Sequence, residues 1–85
     1  MAGYRVTIKK SAVKELEAVP KNRMRRIVNL IQGLCDDPRP ASSQKLSGQA
    51  KYRIRQGPYR IVYSVDDKNA LVDIVKIGHR REVYR

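Results

Sequence analysis

The sequence predicts an α+β domain in which two N-terminal helices pack on one face of a small, mostly antiparallel sheet, in the order β-α-α-β-β-β. Apolar residues recur at helical spacing between residues 12 and 34, then switch to a period of two over Tyr52–Ile54 and Tyr59–Tyr63, where Tyr59, Ile61 and Tyr63 alternate with Arg60 and Val62. Gly57-Pro58, between the two alternating runs, is a strong turn signal. At 85 residues the chain is long enough for one core and one domain.

Tyr4, Val6 and Ile8 alternate with Arg5, Thr7 and Lys9, which predicts a half-buried first strand over 4–9. Ser11 offers a helix N-cap, and Ala12, Leu16 and Val19 have helical spacing until Pro20 closes a short first helix. From Lys21 to about Asp36, Met24, Ile27, Ile31 and Leu34 form a wide apolar stripe, with Arg23, Arg25, Arg26 and Asn29 pointing away from it. Asp37-Pro38-Arg39-Pro40-Ala41-Ser42-Ser43 has the composition of a surface connection. Leu46 and Gly48 lead back into order.

Tyr52 to Tyr63, YRIRQGPYRIVY, then reads as a hairpin. An even loop would set Arg55 opposite Arg60, Ile54 opposite Ile61 and Tyr52 opposite Tyr63, sorting apolar side chains to one face and Lys51, Arg53, Arg55 and Arg60 to the other. Like charges directly across a hairpin destabilise it, so such a cluster calls for an anion. Asp66–Asn69 is another turn. Leu71–Ile77 is apolar on both faces and is expected to be a central strand, broken by Gly78.

The balance of 19 Lys+Arg against 8 Asp+Glu gives a formal charge of +11, which points to a polyanionic partner. The single Cys35 excludes an intramolecular disulfide and a multi-cysteine metal site, and its place after the helical stripe predicts inert packing. No apolar run is long enough to span a membrane and no signal-peptide pattern opens the chain, so a cytoplasmic protein is expected. By pattern, Tyr4, Tyr52, Tyr59 and Tyr63 lie on apolar faces and are expected in the core.

Taken together, LEAVPKNRMRRIVNLI, DDPRPASSQKLSG, YRIRQGPYRIVY and IGHRREVY resemble the RelE/ParE toxins of prokaryotic toxin-antitoxin systems, and the last two resemble the RelE branch more than the gyrase-directed ParE branch. The resemblance implies a metal-independent, ribosome-dependent endoribonuclease that needs no cofactor, cuts messenger RNA in the decoding site, and is neutralised by a cognate antitoxin. It implies catalytic roles for Arg55, Arg60, His79, Arg80 and Tyr84, and a substrate contact from Arg53; Lys51, on the same basic face, is expected to bind substrate as well. RelE itself has lysines where this chain has Arg53 and Arg55, and arginine stays protonated, so another group must accept the 2′-hydroxyl proton.

Arginine suits stabilisation of the phosphoryl charge, since its planar fork pairs with phosphate oxygens. His79 is the only histidine, and histidine is the side chain whose ordinary pKa lies near working pH, so it is the expected proton-transfer group. Tyr84 is expected to stack on a base. Lys45, Lys51, Arg23, Arg25 and Arg26 are expected to meet ribosomal RNA or to form a solvated basic face. Two other functions remain open on the sequence: a ParE-like gyrase inhibitor without nuclease activity, and a basic RNA- or protein-binding module.

Overall fold

In a computed structural model, residues 3–46 and 50–79 are described. Seven elements follow in order: β1 (Arg5–Ile8), α1 (Lys10–Glu17), α2 (Lys21–Gly33), β2 (Gln44–Lys45), β3 (Lys51–Gln56), β4 (Tyr59–Asp66) and β5 (Leu71–His79). They form one five-stranded sheet ordered β1-β5-β4-β3-β2, antiparallel except where β1 runs parallel to β5. The α+β architecture is the predicted one, and β2, a two-residue strand pairing Gln44 with Arg53 and Lys45 with Tyr52, is additional. No helix among the described residues is long and apolar enough to cross a membrane.

Several boundaries differ from expectation: β1 is Arg5–Ile8 rather than 4–9, α2 ends at Gly33 rather than about Asp36, and α1 and β5 differ for reasons the backbone shows. Helix α1 starts at Lys10 behind an extended Lys9, with no side-chain cap, so Ser11 lies inside the first turn. Strand β5 runs through Gly78 to His79, because Gly78 pairs with Arg60 and His79 with Tyr59 in the β4 ladder. A glycine weakens a strand interior, and here the continued pairing with β4 carries the strand across it.

One sheet face carries the core. Ile54, Ile61, Tyr63, Val72, Ile74 and Ile77 meet Ala12, Val19, Ile27, Ile31 and Leu34 from the helical segment. Tyr63 is fully buried, and Tyr4, Tyr52 and Tyr59 pack partly buried against the same cluster. Cys35 is half-buried with a free thiol. The β4–β5 register shifts by one residue: Val62 opposes Lys76, but Tyr63 opposes Ile74. Val75 is therefore the extra residue of a β-bulge, and it turns the alternation over so that Ile74 and Ile77, three apart, both face the core.

The sheet end remote from the Gly57-Pro58 turn is closed by a polar cluster. Arg39, in the connector after α2, donates to Asp67 Oδ2 at 2.6 Å and to the Tyr52 hydroxyl at 2.9 Å, with its guanidinium 5.3 Å from the Tyr52 ring centre. Tyr4 donates to the other Asp67 oxygen at 2.6 Å. Tyr63, stacked on Tyr52, donates to the Pro38 carbonyl at 2.8 Å. Connector, β1, β3 and the β4–β5 turn are thus bonded at one place.

The Arg39 and Tyr4 donors hold the Asp67 carboxyl below the usual aspartate range, and Asn69 does the same for Asp66. The Tyr4 hydroxyl is raised by its bond to Asp67, and burial raises that of Tyr63. A depressed carboxyl stabilises the fold fully above its unfolded value of about 4, and that contribution is lost as pH falls through the folded value. A raised hydroxyl contributes below about 10 and loses its contribution as pH rises through the folded value. The urea midpoint is therefore expected to fall below about pH 4 and again above about pH 10. Asp67→Asn should flatten the acid limb; an unaltered acid limb would show that the cluster does not contribute.

Candidate functional site

Gly57 (φ 59°) and Pro58 form a two-residue turn between Gln56 and Tyr59. The first central position of such a turn takes a positive φ, which glycine adopts without strain. The loop is even, so Tyr52 pairs with Tyr63, Ile54 with Ile61 and Arg55 with Arg60. Apolar and basic side chains are sorted as the alternation predicted. Lys51, Arg53, Arg55 and Arg60 share the sheet face away from the core, and Arg60 itself lies opposite Gly78, which adds no side chain there.

The three arginines differ in how they are held. Arg55 is exposed. Arg53 donates from Nη2 to Gln44 Oε1 of β2, its ladder partner. Arg60 is only 6% exposed, so it belongs to no solvated basic face; its Nη1 donates to the Tyr59 carbonyl at 3.4 Å. A guanidinium fixed in place loses little freedom on meeting an anion. At the other end of this face, Asp73 accepts a hydrogen bond from Thr7 at 3.0 Å, so positive charge concentrates towards the hairpin turn.

The ladder does not bring His79 onto that face. His79 pairs with Tyr59 and so follows the parity of Ile61 and Ile77, on the side of the core. Its ring meets that of Tyr59 edge-on with centroids 5.9 Å apart. His79 also lines a cleft with Glu15, Val19, Tyr59 and Ile77 between α1 and the end of β5. Backbone neighbourhood is close, because the Arg60–Gly78 and Tyr59–His79 pairs are adjacent in the ladder. Arg80 and Tyr84 lie outside the described residues.

Arg25 and Arg26 are exposed on α2, as is Lys45 on β2. Arg23 departs from its expected place on the solvated face: it is half-buried, and its Nη1 lies where a Cβ on Gly57 would be. The helix that covers the core thereby also covers the tip of the basic hairpin. The only sequence signal was the position of Arg23 beside Met24, at the border of the apolar stripe. Nothing in the sequence marked Gln44 as the acceptor for Arg53.

A family described as the ParE toxin of type II toxin-antitoxin system, parDE, matches residues 6–84. Toxin RelE of Mycobacterium tuberculosis is 30% identical over 84 residues, covering 96% of this chain and 87% of that protein. Among solved structures, RelE in the archaeal RelE-RelB complex from Pyrococcus horikoshii superposes with a TM-score of 0.84 at 37% identity, covering 92% of this chain and 96% of that one. The isolated Escherichia coli RelE toxin gives 0.79 at 27% identity, over 95% and 90% of the two chains.

Two outcomes test this geometry. Gly57→Ala should destabilise the fold by about 1–2 kcal/mol in urea titration, the usual cost of a left-handed non-glycine residue. Adding Arg23→Ala should recover only the part due to the guanidinium; full recovery would mean that the positive φ is unimportant. If about four basic groups each neutralise one phosphate of single-stranded RNA, log affinity should fall against log salt with a slope of about −2.8, flattened by about 0.7 in Arg55→Ala. A salt-independent affinity would rule out the basic face as an anion site.

Proposed function

The chain belongs to the ParE toxin family of type II toxin-antitoxin systems, and from that premise we propose that it is a ribosome-dependent endoribonuclease that cleaves messenger RNA in the decoding site. The observation that carries this is the Arg55–Arg60 pair, set across the hairpin with Arg53 beside it on the sheet face away from the core, Arg55 exposed and Arg60 buried. In the proposed reaction the ribose 2′-oxygen attacks the adjacent phosphorus, the bond to the 5′-oxygen breaks, and a 2′,3′-cyclic phosphate and a 5′-hydroxyl are left. The extra negative charge on the phosphoryl oxygens is met by Arg55 and Arg60, donors in place before the reaction. Arg53 and Lys51 hold the strand.

Neither arginine can take the 2′-hydroxyl proton or readily release one of its own. His79 is the proposed group for proton transfer, and since it follows the parity of the core face, the substrate must cross the end of the β4–β5 pair to meet it. Arg80 and Tyr84 are proposed, from the resemblance alone, to assist at the leaving oxygen and to stack on a base. The partner proposed for regulation is a cognate antitoxin, by analogy with the RelE-RelB complex of the archaeal relative. Acidic side chains on such a partner would offset the arginine face.

A second reading, a gyrase-directed toxin without nuclease activity, is favoured by the ParE name of the matching family. The test is incubation of the protein with a defined messenger RNA, with and without programmed ribosomes, and chemical mapping of the new ends. Cuts are expected only with ribosomes, and Arg55→Ala should slow single-turnover cleavage by about 10²-fold. His79→Ala should slow it by about 10²-fold and change its pH profile. No cut under either condition overturns the nuclease, and gyrase inhibition surviving in an Arg53→Ala, Arg55→Ala double variant would establish the second reading. Unchanged rate and profile in His79→Ala would leave that residue as a packing partner of Tyr59.

A further inference from the structure

Strand β1 leaves the sheet before β5 ends. Their parallel ladder stops at Ile8 and Ile74, and Lys9 donates to the Ile74 carbonyl at 3.0 Å as the chain turns into α1. β5 continues to His79, held on its other side by β4 through the Ile61–Ile77 and Tyr59–His79 pairs. Among the described residues no strand lies along the side that β1 has vacated. A backbone N–H on such an edge is left to water unless something else accepts it.

Glu15, on the second turn of α1, accepts it. Its Oε1 takes the Ile77 N–H at 2.9 Å, and its Oε2 takes Lys76 Nζ at 2.8 Å. We propose that Glu15 is a positioning residue that stands in for the missing strand and fixes the length of β5 carrying Gly78 against Arg60 and His79 against Tyr59. The bulge at Val75 lies immediately before this segment, where the ladder is weakest and where an outside tether has most effect. The ion pair is the smaller part: the Lys76 and Glu15 side chains are 42% and 29% exposed, and a pair so wetted contributes little. The charge-assisted bond to the backbone N–H sets the strand. The effect on catalysis rests on the nuclease reading above; the effect on β5 does not.

Backbone amide exchange and single-turnover cleavage on programmed ribosomes, measured on the full chain, separate the two. In Glu15→Ala the Ile77 amide should exchange about tenfold faster, the scale of one lost hydrogen bond, while those of Ile61 and Val72 stay within about twofold. Glu15→Gln keeps a carbonyl acceptor and should restore protection, and Lys76→Ala, which removes only the ion pair, should leave it unchanged. Cleavage should fall about tenfold in Glu15→Ala at the same half-saturating ribosome concentration, and recover in Glu15→Gln. An unchanged Ile77 amide, uniform acceleration of all amides, no rescue by glutamine, or full-rate cleavage from a chain with a loosened Ile77 would each overturn the proposal. A wild-type chain that protects Ile77 through Glu15 yet cleaves nothing would overturn the nuclease reading and leave the hold on β5 standing.

Discussion

The register of the β3–β4 hairpin governs the rest of the molecule. With side chains alternating at a period of two, a slip of one residue would send Ile54, Ile61 and Tyr63 to solvent and the arginines into the core. The two-residue Gly57-Pro58 turn permits only the even pairing. Helix packing follows from it, because the stripe of Ile27, Ile31 and Leu34 has a sheet face to cover only in that register. The basic face is the other product of the same parity.

Much of this was legible in the sequence because it depends on local periodicity. The hairpin pairs, the helical stripe and the flanked position of β5 follow from spacing that a few residues declare by themselves. What escaped depends on contacts distant in the chain. The bulge at Val75 has no local signature: Leu71–Ile77 reads as apolar on both faces, and only pairing with β4 shows that one residue is extra. Ser11 looked like a cap, but the extended backbone at Lys9 places the helix start two residues earlier. Gly78 looked like a breaker because its ladder partner, Arg60, lies 18 positions back. The same bulge sets the parity of His79, so its place relative to the arginines could not be read from residue order.

Electrostatically the fold is divided. At the connector end, Asp67 is satisfied by Arg39 and Tyr4, and opposite charges are paired. At the hairpin end, Arg55 and Arg60 oppose one another across two strands, a juxtaposition that opposes folding. Burial of Arg60 adds to that cost, since a cation removed from water gives up hydration. The first end holds the sheet closed, while the second keeps positive charge in a fixed place, with Arg55 exposed and Arg60 buried beside it.

The parallel pairing of β1 with β5 has a consequence for the order of synthesis. Thr7 and Asp73 touch although 66 positions separate them, so β1 has no sheet neighbour until β5 has been made. The β3–β4 hairpin is local and can close early, but without β5 its apolar face is only half covered and the Arg60 backbone lacks its Gly78 partner. Contacts of such long separation delay completion of the sheet until β5 has been made. The early hairpin therefore carries its arginines before it has a finished sheet to stand on, and closure waits for the β1–β5 pair.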